Sequence, residues 1–461
     1  MKRPPQGCPR ETAGDFGRIG HFFYRALMSQ IHFSAWLGII LGVSCFVLGY
    51  SYSLFYLQPL MSGSSSTQFK HAIHVYKNQI QQNNELGSSF SVYYRGEHVV
   101  DAIGGYVDKR FRLPWVTSTI SQLFTVSMVV VPFSFAKLYQ DELLDIESSV
   151  QHYLPQFVVA NVTVSDLLTH QSGFPYFVGH SSLAKWRDDH RNALNDITNQ
   201  IPPVPPRTQV FHLHSLALLS DAIVRKVDHK KRTLARYFME EIAWPLGLDM
   251  LIGIPRTQLY RVARTYHADA LSVLSAILHL DVAYPWTNLV TAGWLPYSKE
   301  RNKVLNVFND YELYYNWNPD LLEIPLVSSH LFTNARNLAR LFTLLENSVD
   351  KLTNATVSDT AQFVFKKSIR NWMLQVVNTS SYDPVLHRYL KLSSAGFMVT
   401  NSPKNTLMFG MWDDILGQGV FIDPQLQLTW AYVTNHAHAR SLNKDFILNS
   451  LVNSVYSCIK E

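Results

Sequence analysis

The feature that most constrains this chain is a long stretch without charge near its amino terminus. Residues 26–69 contain no Asp, Glu, Lys or Arg, although 16% of the whole sequence is charged. The stretch is mostly apolar from Phe33 to Leu57. A helix crosses a bilayer with about 20 predominantly apolar residues. The sequence therefore predicts a transmembrane helix at residues 33–56 that also serves as a signal anchor.

The charges on either side of this segment predict its orientation. After it, the first charged residue is Lys70. Before it, basic residues outnumber acidic ones: Lys2, Arg3, Arg10, Arg18 and Arg25 against Glu11 and Asp15. Basic flanks of a transmembrane helix remain in the cytosol. We therefore expect a single-pass type II membrane protein, with residues 1–32 as a cytosolic tail. The bulk of the chain is then lumenal or extracellular, on the secretory route or at the cell surface.

Two other interpretations of the apolar segment fit less well. A cleaved signal peptide has an apolar core of about 7–15 residues, which is shorter than this run, and the leading segment is too long. A buried helix of a soluble protein is disfavoured by the length of the run and by its basic flank. Trp36 at one end and Tyr50, Tyr52 and Tyr56 near the other are typical of the aromatic belts at membrane interfaces.

The composition indicates a folded domain after this segment. Hydrophobic residues form 47% of the chain and the formal net charge is +5. This balance is typical of a globular protein with an embedded segment and argues against a disordered chain. The sequence has no stripe of Lys and Arg interleaved with aromatic residues. We therefore expect no nucleic acid among the partners.

Sequons and cysteines agree with the predicted topology without establishing it. Three Asn-x-Ser/Thr sequons fall on the predicted outer side and are candidate glycosylation sites: Asn161, Asn354 and Asn378. Cys8 would be cytosolic and Cys45 lies in the apolar segment, so the outer domain has a single cysteine, Cys458. Cys458 is then a buried or free thiol, or half of a bridge between two chains.

The remaining sequence predicts one domain with strands near both of its ends. We expect a linker at residues 57–68, which includes the Ser-rich run from Ser62, and a folded domain at residues 69–461. The predicted elements are a helix at 69–85, a β-hairpin at 89–105 with its turn at Arg95–Gly96, strands near 406–434 and a final helix from about Asn443. Strands at both ends that enclose a helix-rich middle predict an α/β (α+β) fold. Its antiparallel sheet is built from both termini, flanked by helices, and interrupted by a helical insert.

Five blocks of sequence, in order, carry a family resemblance. The most specific is residues 163–175, Thr-Val-Ser-Asp-Leu-Leu-Thr-His-Gln-Ser-Gly-Phe-Pro. The others are residues 136–146, 150–157, 242–248 and 333–341. Together they resemble the serine β-lactamase and penicillin-binding-protein family, especially its class C and animal β-lactamase-like branches, over roughly residues 69–455. The resemblance implies a β-lactamase/transpeptidase-like fold preceded by the one transmembrane helix.

The family's first catalytic element is Ser-x-x-Lys, in which one helical turn places the lysine beside the serine Oγ to help take its proton. A gapless alignment through Ala136 places Thr125 at the serine position and Met128 at the lysine position. A thioether does not accept and return a proton at neutral pH. The resemblance therefore predicts a threonine hydroxyl without its base.

The family's other two elements are also changed. Tyr-x-Asn aligns with Phe211-His-Leu213, which lacks the phenol and the amide, and the Lys/His-x-Gly strand aligns with Met411-Trp-Asp413. Polar working residues have mostly become apolar or bulky, which is typical of a site refilled as core. We therefore expect no catalytic residues. The family's site positions are occupied by Thr125, Met128, Phe211, Leu213 and Met411.

Several local alternatives stay open at this point. A shifted alignment makes Ser118 or Thr119 the nucleophile, and neither choice restores a lysine. For Thr119 the lysine position is Gln122, and this alignment needs a gap before Ala136. His212 and His214 are candidate replacement bases, although histidines beside an apolar run are more often buried or hydrogen-bonded.

Three further expectations concern the surroundings of these elements. Pro132 should kink the helix after Thr125, and Asp413–Asp414 should form a solvated turn. No cofactor is implied. The histidines show no metal-binding spacing such as His-Glu-x-x-His; those considered are His180, His190, His212 and His214.

Two functions from different classes remain compatible with the sequence. The first is a catalytically inactive, membrane-anchored module that binds or scaffolds an unknown protein, peptide or small molecule. The second is a divergent serine/threonine-type hydrolase, an esterase or amidase, that uses Thr125 with His212 or His214. The deciding question is whether a titratable base lies within hydrogen-bond reach of a hydroxyl in the site.

Overall fold

The computed structural model describes most of the chain after the amino-terminal tail. The described residues are 34–49, 59–82, 85–177, 182–188, 194–195, 198–267, 299–305, 307–308, 317–346, 364–414, 416–437 and 446–459. The chain divides into two compact units, residues 1–58 and residues 59–461.

In the first unit, residues 34–49 form helix α1, whose side chains are exposed. None of the helices in the described part of the chain is both long enough and apolar enough to cross a membrane. The predicted cytosolic tail at residues 1–32, and Phe33 and residues 50–56 of the predicted span, lie outside the described residues.

The second unit mixes strands and helices along its whole length. Its strands are β1 (Met61–Ser65), β2 (Gly87–Tyr94), β3 (Glu97–Asp108), β4 (Leu113–Pro114), β5 (Ser121–Gln122), β6 (Leu251–Ile252), β7 (Tyr266–His267), β8 (Leu331–Thr333), β9 (Val376–Asp383), β10 (Arg388–Ser393), β11 (Met398–Asn401), β12 (Leu407–Asp413), β13 (Gln418–Asp423), β14 (Leu428–Thr434) and β15 (His436–Ala437). Its α-helices are α2 (Lys70–Gln81), α3 (Val130–Gln140), α4 (Val150–Tyr153), α5 (Val164–Leu168), α6 (Leu183–Asp188), α7 (His214–Val227), α8 (Leu234–Phe238), α9 (Lys299–Leu305), α10 (Pro319–Leu322), α11 (Ala335–Phe342), α12 (Lys367–Met373) and α13 (Phe446–Ser457).

The main sheet joins the two ends of this unit, as predicted. It has ten strands in the order β1-β3-β2-β14-β13-β12-β11-β10-β9, with β4 paired to β3. The two ends meet in the antiparallel pair of β2 and β14, in which Phe90 is paired with Tyr432. The predicted α/β architecture, with an antiparallel sheet from both termini and a helical insert, is therefore confirmed.

The hairpin of β2 and β3 shows why its turn is readable from sequence. Arg95 and Gly96 connect the strands with φ angles of 55° and 82°. Two successive positive φ angles are the signature of the type I′ turn, whose twist matches that of the flanking strands. Gly adopts this backbone conformation at no steric cost, which fits the predicted turn.

Helices cover both faces of the sheet. On one face, the ring of Tyr76 in α2 stacks on Phe90 with centroids 6.4 Å apart, and Gln79 donates to the carbonyl of Ile447 in α13 at 2.8 Å. On the other face, the backbone N–H of Ala335, at the start of α11, donates to Ser89 Oγ at 3.1 Å. Because Ser89 and Phe90 are adjacent in a strand, their side chains point to opposite faces.

The predicted linker at residues 57–68 is wrong over part of its length. Met61–Ser65 form β1, which pairs antiparallel with β3 from Met61 opposite Gly104 to Ser65 opposite Val100. A Cβ at Gly63 would lie 2.6 Å from the carbonyl oxygen of Asp101, so the glycine permits the close approach. Backbone hydrogen bonds, which do not depend on apolar side chains, hold this Ser-rich segment at the sheet edge.

Candidate active site

The residue at the family's nucleophile position lies on a 3₁₀ helix, Phe124–Val129, that leads into α3. Phe124 is buried and has a φ of 45°, a strained conformation for a bulky residue that is typical of functional sites. Ser127 Oγ accepts from the backbone N–H of Leu331 at 3.1 Å and ties this helix to β8. The helix that carries Thr125 is therefore fixed to the small sheet of β5, β8 and β6.

Pro132 lies in the first turn of α3, which begins at Val130 and directly continues the 3₁₀ helix. The change from 3₁₀ to α-helix thus falls two residues before the proline, and the predicted kink stays a prediction. In a 3₁₀ helix the residues i and i+3 lie above one another, so Thr125 and Met128 share one side of the helix.

Thr125 is bound to a carboxylate that the sequence analysis had placed in solvent. Its Oγ1–H donates to Oδ2 of Asp413, and its backbone N–H donates to the same oxygen at 3.2 Å. The other oxygen, Oδ1, accepts from the backbone N–H of Leu416 at 2.8 Å. Asp413 has 0% of its surface exposed. The prediction of a solvated turn is therefore wrong for Asp413.

The position of Asp413 in β12 explains this contact. Side chains alternate between the faces of a strand, so Met411 and Asp413 point to the same face and Trp412 to the other. That face meets the 3₁₀ helix that carries Thr125. The neighbouring Asp414 instead forms an ion pair with Arg388, with 2.9 Å between Oδ1 and a guanidinium nitrogen.

The carboxylate changes what Thr125 can do chemically. An ionised Asp413 accepts a hydrogen bond from the Thr125 hydroxyl. It opposes formation of an alkoxide at Thr125, because two negative charges would then share one site. The backbone N–H of a nucleophile is a common donor to the oxyanion of an acyl-transfer transition state. At Thr125 that donor is already bound to Asp413. The side chain of Asp413 thus occupies the place that a substrate oxygen would take.

The second family element is held by contacts of its own. The backbone N–H of Phe211 donates to Oδ2 of Asp383, at the end of β9, at 2.5 Å. Burial raises the pKa of the Asp383 carboxyl above its ordinary value. The ring of Phe211 lies 4.9 Å from that of His170, and Leu213 is fully buried just before α7. Neither position offers a proton-transfer group.

A serine–histidine pair that the sequence analysis missed lies beside this element. Ser172 Oγ and His212 Nε2 are 2.8 Å apart, and both residues are buried. His212 Nδ1 contacts the carbonyl oxygen of Val210, so Nδ1 carries the proton and Nε2 accepts from the Ser172 hydroxyl. Burial lowers the pKa of His212 to about 4, so the ring is neutral at pH 7.

The other candidate base is committed elsewhere. His214 Nδ1 lies 2.7 Å from Ser328 Oγ, and its Nε2 lies 3.2 Å from the carbonyl oxygen of Leu305. Burial lowers the pKa of His214 to about 4. Neither His212 nor His214 is hydrogen-bonded to Thr125 in the described part of the chain. The titratable group within reach of the Thr125 hydroxyl is Asp413, but its two oxygens also accept from two backbone N–H groups, and a carboxylate is a much weaker base than the amine of the family's lysine.

The most specific sequence block has a structural explanation. Thr163 caps α5: its Oγ1 accepts from the N–H of Asp166 at 3.1 Å, and Asp166 Oδ2 accepts from the N–H of Thr163 at 3.0 Å. This is a capping box. His170 and Gly173 then adopt φ angles of 61° and 87°, which turn the chain so that Ser172 reaches His212.

The five positions of the family site are all buried. The exposed fractions are 8% for Thr125, 1% for Met128, 2% for Phe211, 0% for Leu213 and 3% for Met411. The alternative nucleophiles have other surroundings: Thr119 Oγ1 accepts from the N–H of Val116 at 3.0 Å, and Ser118 is exposed. Gln122, the lysine position of the shifted alignment, lies in strand β5 rather than in a helix.

The remaining predicted positions are distributed over the surface and the chain ends. Asn161 is exposed and Asn378 lies in β9, whereas Asn354, Cys8, His180 and His190 lie outside the described residues. Cys45 is exposed on α1, and Cys458 is half-buried with its Sγ donating to the carbonyl of Ser454 at 3.1 Å. Within the described ranges, no group of three or more His, Cys, Asp or Glu is placed to hold a metal ion.

Comparison with known sequences adds a family and two relatives. The family model described as Beta-lactamase matches residues 73–453. Esterase/beta-lactamase LipL of Mycobacterium tuberculosis is 26% identical over 199 residues, 42% of this chain and 45% of that protein. Serine beta-lactamase-like protein LACTB, mitochondrial, of Mus musculus is 26% identical over 164 residues, 32% of this chain and 30% of that protein. The chain spans less than half the length of these relatives.

Solved structures resemble nearly all of the second unit. A penicillin-binding protein homologue from Caulobacter crescentus has 24% identity and a TM-score of 0.64, covering 87% of this chain and 100% of its own. A family VIII carboxylesterase has 20% identity and a TM-score of 0.66, with the same coverage of 87% and 100%. At these identities the likeness concerns the fold alone.

Proposed function

This chain belongs to the beta-lactamase family, and from that premise we propose that it is a catalytically inactive, membrane-anchored member that acts as a binding or scaffolding module. The observation that carries the proposal is the Asp413 carboxylate, which accepts both the hydroxyl and the backbone N–H of Thr125. It leaves the family's nucleophile position without a free oxyanion donor and places a negative charge beside the hydroxyl.

The expected losses in catalytic rate favour an inactive protein over a slow enzyme. General acid–base catalysis contributes about 10²–10⁴-fold to rate, and Met128 cannot supply it. Loss of one oxyanion donor costs about 10²–10³-fold. Because Thr125 is also 8% exposed, a substrate would have to displace a buried carboxylate before it met the hydroxyl. These losses together remove most of the acceleration that an acyl-transfer site provides.

Labelling with covalent probes tests this proposal. We expect the full-length chain, purified in mild detergent, to resist penicillin-like and fluorophosphonate probes and to turn over activated esters no faster than a heat-denatured control. The Thr125→Ala variant should behave identically, because its hydroxyl takes no part in chemistry. Stoichiometric labelling that is lost in Thr125→Ala would contradict the proposal and show an active threonine.

One specific observation favours a second candidate, a divergent hydrolase. Ser172 and His212 have the hydrogen bond and the tautomer of a nucleophile–base pair. Burial argues against it, because both side chains are inaccessible. Labelling that persists in Thr125→Ala but disappears in Ser172→Ala would establish this alternative.

The membrane anchor and its orientation form part of the same proposal. The supporting observations are the charge-free stretch at residues 26–69 with its basic flank and the exposed apolar side chains of α1, such as Phe46 and Leu48. In sealed microsomes, we expect the second unit to resist protease added outside and to carry glycosidase-sensitive mass, with exposed Asn161 as the first acceptor to mutate. Digestion of the second unit without detergent would refute the orientation.

A further inference from the structure

A cleft in the helical insert has no assigned role. It has a volume of about 270 Å³ and lies between the turn after α4, helix α6 and helix α7. Its lining includes none of the residues of the candidate active site. We call it the insert cleft and define it by Leu154, Trp186, Leu218, Ala222, Arg225 and Lys226.

The floor of the insert cleft is apolar. Leu154 and Leu218 are each 4% exposed, and Trp186 is 9% exposed. Ala222 lies one helical turn after Leu218 on α7, so its small side chain leaves space above the floor. Small-molecule sites combine such an apolar lining with a few placed polar groups. The walls therefore suit a hydrocarbon chain or ring.

One end of the insert cleft is basic. Arg225 donates from Nε to Oδ2 of Asp221 at 2.7 Å, and Oδ1 of Asp221 accepts from the N–H of Leu234 at 2.7 Å. Asp221 thus orients the guanidinium, whose two terminal nitrogens have no recorded acceptor within the described part of the chain. Lys226 is exposed beside it, and the Nζ of Lys231 donates to the Lys226 carbonyl at 2.8 Å. This end of the cleft therefore has a positive net charge, because Arg225 and Lys226 outnumber Asp221.

We propose that the insert cleft binds a small amphipathic carboxylate. The oriented Arg225 presents the paired N–H groups that match a carboxylate, Lys226 adds positive charge, and the alkyl or aryl part lies against Trp186 and Leu218. The volume of about 270 Å³ is close to the lower end of the range of small-molecule sites, about 300–1,000 Å³, so the ligand is a small one. This assignment goes beyond the proposed function and does not depend on whether Thr125 is catalytic.

Octanoate is a suitable probe because it has the predicted size and charge. We expect octanoate to bind the full-length chain saturably in isothermal titration and to raise its thermal unfolding midpoint. Octylammonium, which has the same chain and the opposite charge, should bind at least tenfold more weakly. Octyl phosphate, whose head group arginine also binds with paired N–H groups, separates the two kinds of anion. Binding more than tenfold tighter than that of octanoate would overturn the assignment to a carboxylate.

Three matched variants test the location. Ala222→Phe fills the cleft and should weaken octanoate at least tenfold, and Lys226→Glu should weaken it about threefold to tenfold through loss of one surface charge contact and addition of a repulsive one. Lys367→Glu, an equal charge change at an exposed site on α12, should leave binding unchanged. The proposal is overturned if octanoate fails to bind at millimolar concentration, if octylammonium binds equally well, or if Ala222→Phe binds like the wild-type chain while remaining folded.

Discussion

Acidification from pH 7 to pH 4 should unfold the second unit of this protein. Burial lowers the pKa of His212, His214 and His330 to about 4 each, against an ordinary value of about 6.5. Each shift corresponds to about 3 kcal/mol, at 1.36 kcal/mol for each pKa unit. The three together amount to roughly 10 kcal/mol, which is comparable with the 5–15 kcal/mol stability of a typical domain.

The sign follows from proton binding. Between pH 4 and 6.5 the unfolded chain binds protons at these histidines and the folded chain does not, so the free energy of unfolding rises with pH. Their contribution is complete above about pH 6.5 and is lost as pH falls to 4. Glu85 and Asp383 act in the opposite sense, because burial raises the pKa of both carboxyls and protonation relieves their desolvation. They therefore act against the loss that the histidines cause.

Chemical denaturation of the full-length chain at several pH values, followed by near-UV circular dichroism, measures this dependence. His170, whose pKa burial also lowers well below the ordinary value, adds to the same loss. His214→Gln should reduce the loss between pH 6.5 and 4 by about 3 kcal/mol, the share of that one ring. His71→Gln, an exposed histidine on α2, should leave the slope unchanged. An unfolding free energy that stays constant from pH 7 to 4.5 would mean that the buried rings take up a second proton in the folded state as readily as in the unfolded chain.

Much of the fold was predictable because local signals and the required topology agree. The turn at Arg95–Gly96 needs two positive φ angles, of which the glycine indicates the second. The capping box at Thr163 needs an acidic residue three positions later, and Asp166 provides it. β1 was missed because a Ser-rich edge strand carries no apolar alternation. Its pairing with β3 depends on the backbone and on the small size of Gly63, which composition alone does not reveal.

The positions of the candidate site were predictable from the sequence, but the hydrogen-bond partners of its residues were not. Motif spacing indicated Thr125, Met128 and Met411, and the structure gives them the burial of core residues. The role of Asp413 was missed because two adjacent acidic residues normally indicate solvent, and only the register of β12 against the 3₁₀ helix turns one of them inward. Ser172 lay inside the most specific block, yet its partner His212 is forty positions away, a distance that no local pattern bridges.

Asp413→Ala should destabilise the folded chain by roughly 3–9 kcal/mol. The substitution leaves three buried donors without an acceptor: the hydroxyl and N–H of Thr125 and the N–H of Leu416. Each unsatisfied donor costs about 1–3 kcal/mol, and a newly formed cavity adds to the loss. Thr125→Val removes the hydroxyl donor itself, so no donor is left without an acceptor. It should cost only about 1 kcal/mol.

The adjacent Asp414→Ala is the matched control, because it removes an equal side chain that has one ion pair, with Arg388, and none of the three donors bound to Asp413. Urea unfolding at pH 7 of the wild-type chain, the three variants, and Thr125→Val combined with Asp413→Ala gives the coupling energy between the two side chains. A coupling well above 1 kcal/mol would place the carboxylate on the hydroxyl in solution. If Asp413→Ala is no less stable than Asp414→Ala, the Asp413 carboxylate does not bind the hydroxyl and N–H of Thr125 in solution. The oxyanion donor of Thr125 would then be free, and the hydrolase alternative would regain its strongest structural argument.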